Sequence, residues 1–162
     1  MSKFVVLGGG CFWGMQELIR KQEGVITTTV GYAGGIQEHP NYENHEGHAE
    51  VVKIEYDDEK TSLRKLLDFF FQIHNPTTKN QQGNDIGSSY RSVIFYADEQ
   101  EKKEANEMIA IVNKSKRWHD PVVTTVEPFV RFTEAEDYHQ DYLQKNPEGY
   151  TCHRIYFDSY LK

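Results

Sequence analysis

A cysteine that follows three glycines is the chain's best-placed candidate nucleophile. The segment from Gly8 to Gly14 reads Gly-Gly-Gly-Cys-Phe-Trp-Gly and lies between a short apolar run and an amphipathic stretch. Cys11 is therefore predicted where a strand turns into a helix, and free backbone N–H groups and the helix dipole favour a thiolate there. The glycines are expected to leave the sulfur uncovered. The alternative is a buried thiol that packs only as a small apolar side chain.

A glutamate on a predicted strand is a candidate proton donor. Alternation along the strand predicted at 49–56 places Glu50 on the same face as Val52 and Ile54. A carboxyl on an apolar face is partly desolvated, which raises its pKa and keeps more of it protonated near neutral pH. The alternative is a glutamate near the strand's edge whose side chain bends back to solvent.

These groups together suggest attack by a thiol on an electrophile that carries an oxygen. Cys11 would attack, and Glu50 would protonate the leaving oxygen as a general acid. Tyr42 and Tyr90 can add phenolic hydrogen bonds to the same oxygen. In a chain with ten tyrosines, any single tyrosine is more often a packing or surface residue than a catalytic one.

Aromatic residues beside the candidate nucleophile can contact a small apolar group. Phe12 and Trp13 directly follow Cys11 and offer a wall for a methyl group, although simple core packing would also explain them. Asp85 lies in a loop with glycines on both sides. It either orients a neighbouring group or forms a turn with those glycines.

The elements that must position these residues follow in the order β-α-β-β-α-β. Alternating and β-branched residues predict the first four strands at 4–7, 25–32, 49–56 and 90–96. One helix begins after Cys11, and a second is predicted at 63–73. This order matches the split βαβ, ferredoxin-like pattern, a mixed sheet with helices on one side.

The remainder of the chain extends or wraps this core. It is predicted to contain a helix after Asp98, a strand at 122–126, a short helix at 134–144 and a C-terminal tail that carries Cys152. We expect an α+β fold in a single catalytic domain, 1–162, with the tail near the active site.

Composition and charge exclude several classes of function. The formal net charge of −7 argues against a nucleic-acid or anionic-membrane surface. The apolar run before the glycines is far too short for a signal peptide or a spanning helix, so a cytoplasmic location is expected. In that compartment Cys11 and Cys152 are expected to be catalytic, redox-active or inert, and not a permanent structural disulfide.

Six short motifs occur in an order that is characteristic of one enzyme family. They are Gly-Cys-Phe-Trp-Gly at 10–14, Gly-Tyr-Ala-Gly-Gly at 31–35, Pro-Asn-Tyr at 40–42, Gly-His-Ala-Glu at 47–50, Gln-Gly-Asn-Asp at 82–85 with Tyr-Arg-Ser at 90–92, and Asn-Pro at 146–147 before Gly-Tyr at 149–150. On these motifs the chain resembles the peptide methionine sulfoxide reductases of the A type.

The resemblance implies an enzyme that reduces the S epimer of methionine sulfoxide, free or within oxidised proteins and peptides. It makes Cys11 the nucleophile and Glu50 the acid at the sulfoxide oxygen. Tyr42 and Tyr90 become the hydrogen-bond partners of that oxygen.

The same resemblance assigns the neighbouring side chains. Phe12 and Trp13 would hold the methyl group on the substrate sulfur. Asp85, in a matching loop, is expected to have a supporting role.

The resemblance also implies how the enzyme is recycled. The reaction would leave a sulfenic acid on Cys11, which Cys152 attacks to form a disulfide that thioredoxin or another dithiol reduces. No metal or organic cofactor is required, no nucleic acid or membrane is a partner, and a monomer is expected. The tail holds one cysteine and lacks the glycine-rich segment with a further cysteine found in some family members, so Cys152 must itself approach Cys11.

Three other interpretations remain at the level of sequence. A metal-binding module would use His39, His45, His48 and Glu50, but their spacing fits no common closed zinc site, and His48 is expected to cap or pack at the strand start. A cysteine hydrolase or phosphatase would need a histidine base or an arginine-containing anion loop beside the nucleophile. A protein that only binds oxidised methionine would not need Cys152.

Overall fold

The computed structural model describes residues 2–151 and 153–161. A six-stranded mixed sheet forms the centre of this part of the chain. The strands, in chain order, are β1 (Ser2–Gly9), β2 (Val25–Ala33), β3 (Ala49–Asp57), β4 (Gln81–Gln82), β5 (Asp85–Ile86), β6 (Ser92–Tyr96), β7 (Thr125–Pro128) and β8 (Phe132–Glu134). The large sheet has the order β7-β6-β1-β3-β2-β8, and β4 pairs with β5 in a separate ribbon. β6 and β7 are parallel, and the other neighbours are antiparallel.

Three of the four helices in the described ranges connect these strands, and the fourth follows β8. They are α1 (Phe12–Ile19), α2 (Leu63–Gln72), α3 (Glu99–Ser115) and α4 (Tyr142–Lys145), with 3-10 turns at Ser88–Tyr90 and Asp137–His139. Side-chain caps begin two of them: Ser62 accepts the backbone N–H of Lys65 at 3.2 Å for α2, and Asp98 accepts that of Glu101 at 2.9 Å for α3. No helix in the described ranges combines the length and apolar character that a membrane crossing needs.

Hydrophobic clusters of different size pack on the two faces of the sheet. The larger cluster contains buried side chains of α1, α2 and α3 together with Val52 and Ile54 of β3. The smaller cluster, on the other face, contains Val51 and packs against Phe129 and Phe132. Because side chains alternate along a strand, Glu50 belongs to the face of β3 that carries the helices.

The predicted mixed α+β fold is confirmed, and the first three long strands lie where they were predicted. The prediction of a short helix at 134–144 is wrong. That segment instead contains the last residue of β8, a 3-10 turn and the first three residues of the four-residue helix α4. Side-chain bonds to β2 explain the difference: Val30 donates its N–H to Oε1 of Gln140 at 3.0 Å, and Gln140 Nε2 donates to the Val30 carbonyl at 2.9 Å.

Two later strands are shifted from their predicted positions. The strand predicted at 90–96 begins at Ser92, because residues 88–90 form a 3-10 turn. The strand predicted at 122–126 lies at Thr125–Pro128, where it pairs with β6.

Candidate active site

Cys11 lies at the junction of strand and helix that its sequence context predicted. β1 ends at Gly9, and Cys11 is the residue immediately before α1. Gly10 between them has φ +100°, and a Cβ on it would lie 2.7 Å from the side chain of Gln82, so the turn needs glycine. Cys11 is 7 % exposed, which makes it more enclosed than the sequence predicted.

Glu50 is buried beside the first turn of α1. It is 1 % exposed, and its Oε1 accepts the backbone N–H of Phe12 at 3.2 Å. Burial raises the pKa of this carboxyl, the Phe12 N–H lowers it, and the charge of Asp85 raises it again, to about 8. Most of Glu50 is therefore protonated at neutral pH and able to donate a proton. The alternative, a side chain turned to solvent, is wrong.

The phenols of Tyr42 and Tyr90 both interact electrostatically with the acidic groups of this site. Burial raises the pKa of each phenol, and the negative charges of Glu50, Cys11 and Asp85 raise it further. Tyr42 lies in the loop between β2 and β3, and Tyr90 closes the 3-10 turn before β6. The fold thus brings both phenols to the same group of acidic side chains, and their raised pKa keeps them protonated as donors.

Trp13 is held in place by residues from the end of the chain. Its Nε1 donates to Nδ1 of His139 at 2.9 Å, and its ring stacks on Tyr142 with centroids 3.8 Å apart. Phe12 lies deeper: it is fully buried, with its ring centroid 5.1 Å from that of His139 and 5.7 Å from that of Tyr32. Sequence reasoning missed His139 and Tyr142, because no local pattern connects them to Trp13.

A half-buried carboxylate holds the backbone of Tyr42. Glu136 Oε2 accepts the Tyr42 N–H at 3.0 Å, and its Oε1 accepts the hydroxyl of Tyr32 at 2.9 Å. Burial would raise the pKa of Glu136, but these hydrogen bonds lower it overall, so it stays ionised. Sequence reasoning missed Glu136 as well, because the segment was predicted to be a helix.

Asp85 lies between the site and the C-terminal tail. Its Oδ2 accepts the hydroxyl of Tyr150 at 3.2 Å. Its charge also raises the pKa of Glu50, Tyr42 and Tyr90. The aspartate therefore bonds to the tail and acts electrostatically on the carboxyl and phenols of the site.

The tail packs on the helix start. His153 is buried, and its Nε2 donates to the carbonyl of Gly9 at 2.6 Å. A Cβ on Gly14 would collide with His153 and with the hydroxyl of Thr151, so α1 has a glycine where the tail crosses it. Cys152, the predicted resolving thiol, lies outside the described residues.

Two of the three histidines considered for a metal site, His45 and His48, have other partners. Nδ1 of His48 accepts the N–H of Gly35 at 3.1 Å and its Nε2 donates to the carbonyl of Gln37 at 2.8 Å, so it packs at the strand start as predicted. The ring of His45 bonds to Asn41 and Ser89. Within residues 2–151 and 153–161, no group of three histidine, cysteine or acidic side chains is arranged to hold a metal ion.

Comparison with known proteins identifies the family. A family model described as peptide methionine sulfoxide reductase matches residues 3–159. The chain belongs to this family. The resemblance drawn from the six motifs is confirmed, and the reductase is an enzyme that acts on methionine sulfoxide.

Curated relatives place the reductase in the A type. The peptide methionine sulfoxide reductase MsrA of Nocardia farcinica is 60 % identical over 152 residues, which cover 94 % of this chain and 89 % of the relative. The protein of the same name from Mycolicibacterium gilvum is 61 % identical over 151 residues, covering 93 % and 89 %.

Solved structures of the family share the fold. Mxr1 from Saccharomyces cerevisiae in reduced form is 36 % identical with a TM-score of 0.86, covering 95 % of this chain and 92 % of that one. Methionine sulfoxide reductase A of Corynebacterium diphtheriae is 32 % identical with a TM-score of 0.87, covering 93 % and 77 %. Mxr1 in complex with Trx2 is 28 % identical with a TM-score of 0.66, covering 95 % and 89 %.

Proposed function

We propose that the reductase acts on the S epimer of methionine sulfoxide, free or in proteins, by attack of Cys11 on the sulfoxide sulfur while Glu50 protonates the oxygen. The observation that carries this proposal is the Glu50 carboxyl. It is buried, has its pKa raised to about 8, and is hydrogen-bonded to the first N–H of the helix that begins after Cys11. A carboxyl in this state is suited to general acid catalysis at neutral pH.

The first half of the reaction transfers an oxygen atom to the enzyme. The Cys11 sulfur supplies the electron pair to the sulfoxide sulfur, and the oxygen takes a proton from Glu50. When the oxygen has moved to Cys11, the products are methionine, reduced by two electrons, and a sulfenic acid on Cys11, oxidised by two. Tyr42 and Tyr90 donate hydrogen bonds to the oxygen as its negative charge develops.

The aromatic side chains support the choice of one epimer. A sulfoxide sulfur is pyramidal, with an oxygen, a methyl group and the methionine chain around it. Glu50 and the phenols would hold the oxygen, and Trp13 with Phe12 would hold the methyl group. The oxygen and the methyl group would then have fixed positions, and Cys11 would approach the sulfur from a third direction. In this arrangement the methionine chain reaches solvent in only one of the two epimers.

The second half regenerates the thiol. Cys152 would attack the sulfenic acid, which releases water and forms a Cys11–Cys152 disulfide that a thioredoxin-like dithiol reduces. The Trx2 complex of yeast Mxr1 supports such a donor. The contacts of Tyr150 and His153 with the site support a tail that lies close to Cys11.

Several narrower statements belong to the same proposal. The strand order β6-β1-β3-β2 supports interpretation of the core as the split βαβ, ferredoxin-like pattern. The reductase would need no prosthetic group. A monomer in the cytoplasm stays a prediction, as does the single catalytic domain.

Separated epimers and mass spectrometry test this function. One equivalent of the S sulfoxide of N-acetylmethionine, added to the reduced enzyme, should yield one equivalent of methionine derivative and a Cys11–Cys152 disulfide. The R sulfoxide is the matched control and should leave both thiols reduced. Equal reaction of the two epimers would contradict the proposed site, and methionine formation without that disulfide would remove Cys152 from the mechanism.

A further inference from the structure

His45 contacts both segments that carry the site tyrosines. Its Nδ1 lies 2.9 Å from the carbonyl oxygen of Asn41, the residue before Tyr42. Its Nε2 lies 2.8 Å from the hydroxyl of Ser89, the residue before Tyr90. One imidazole ring therefore joins two loops that are far apart in sequence.

The protonation of the ring follows from its partners. A carbonyl oxygen can only accept, so Nδ1 of His45 carries the proton and donates to Asn41. In the neutral ring Nε2 then accepts the hydroxyl proton of Ser89. If the ring takes up a second proton, Nε2 donates to the Ser89 oxygen instead, so the connection is kept in either state.

A buried side chain fixes the ring of His45. The ring stacks on Tyr32, with centroids 4.8 Å apart and planes 21° from parallel, and Tyr32 is fully buried. The hydroxyl of Tyr32 bonds to Glu136, which also holds the N–H of Tyr42. The His45 ring thus contacts Tyr32 directly, and the backbone of Tyr42 is linked to the same tyrosine through Glu136.

Arg91 provides a second connection between the two loops, through a longer hydrogen bond. Arg91 donates to the carbonyl of Ser88 at 2.9 Å and to that of Gly47 at 3.3 Å. The bond to Gly47 joins the same two loops, at residues that follow Tyr42 and Tyr90 in sequence. His45 is the side chain that joins them next to the tyrosines themselves.

We propose that His45 is a positioning residue of the reductase, which sets the separation of the Tyr42 and Tyr90 hydroxyls. Two donors aimed at one oxygen are effective only when both lie at hydrogen-bond distance at the same time. A rigid ring with a nitrogen on each side holds the two loops at that spacing. The inference rests on the proposed function, because it acts through phenols that bind the sulfoxide oxygen.

Removal of one end of the connection tests this role. Ser89→Ala should lower kcat about threefold to tenfold, the range expected for one hydrogen bond, while KM changes less than about twofold. Ser88→Ala is the matched control, since it is the same change one residue earlier, and it should leave kcat unaltered. In a Tyr90→Phe background, Ser89→Ala should cause no further loss, because the group that it positions is already absent.

Variants of the ring itself provide a second measurement. His45→Ala should lower kcat with the same small effect on KM. His45→Gln, whose amide can reach toward Ser89, should recover part of that loss. His39→Ala, the same change at an exposed histidine of this loop, is the control and should retain full activity.

The outcomes separate this inference from the proposed function. If Tyr90→Phe lowers kcat and Ser89→Ala lowers it by the same factor in both backgrounds, His45 does not act through Tyr90 and the inference is wrong. If Tyr90→Phe leaves kcat unchanged, the proposed role of Tyr90 fails, and the positioning role fails with it. An unaltered kcat in both Ser89→Ala and His45→Ala also overturns the inference.

Discussion

The buried carboxyl of Glu50 should make the stability of the reductase depend on pH in a way that Glu50→Gln removes. Its pKa is raised from the ordinary value of 4.5 to about 8. Between these values the unfolded chain loses this proton and the folded chain retains it, so folding becomes less favourable as pH rises. This direction is opposite to that of a carboxylate in a salt bridge.

The size of the effect follows from the shift. Each unit of pKa corresponds to about 1.36 kcal/mol. Over the interval from pH 5 to pH 8, the free energy of unfolding should fall by about 3 to 4 kcal/mol more in the wild type than in Glu50→Gln. Glutamine does not titrate and has a similar shape, so the difference between the two proteins isolates this group.

Urea denaturation at a series of pH values measures the difference. Both proteins should be studied in the reduced state, so that no disulfide contributes to stability. Glu55→Gln is the matched control, because it makes the same change on the same strand at a more exposed position, and its curve should parallel the wild type. Parallel curves for Glu50→Gln and the wild type would refute the raised pKa, and with it the argument for a protonated acid.

The same group should control the chemical step. General acid catalysis contributes about 10² to 10⁴ in rate, so Glu50→Gln should lower kcat by at least about a hundredfold with little change in KM. In the wild type, the single-turnover rate should fall about tenfold per pH unit above pH 8, as the protonated fraction falls. A loss confined to KM would assign Glu50 to binding.

Three further substitutions test the remaining parts of the site. Cys11→Ser should abolish reduction of the S sulfoxide in a coupled assay, and retained activity would end its assignment as nucleophile. Cys152→Ser should produce one methionine per enzyme and then stall with thioredoxin as donor, whereas steady turnover would exclude Cys152 as the resolving thiol. Gly14→Ala should lower the free energy of unfolding by about 1 to 3 kcal/mol in urea denaturation, because its Cβ collides with His153 and Thr151; an unchanged midpoint would mean that the tail moves aside without cost.

The sequence by itself determined the features that depend on local geometry. The glycines and the change of periodicity around Cys11 predicted a turn from strand to helix, because φ preferences and hydrogen-bond spacing act over a few residues. The period of two along β3 predicted which face Glu50 occupies, and from that face its burial and raised pKa. Both predictions needed only neighbours in the chain.

Local reasoning failed where side chains bond to another element. The pattern at 134–144 resembles a helix, but Glu136 and Gln140 bond to Tyr32 and Val30 of β2. Those bonds satisfy polar groups of β2 and displace the helical conformation that the apolar spacing favours. Nothing within the segment itself signals this competition.

Only the tertiary structure decided how the side chains of the candidate site are held. Trp13 bonds to His139, which is 126 residues away, and His45 bonds to Ser89, which is 44 residues away. Periodicity and propensity describe neighbours along the chain, so they carry no information about such pairs. The candidate catalytic residues were recognisable from their types and spacing, whereas the residues that contact them became identifiable only when the folded chain brought distant segments together.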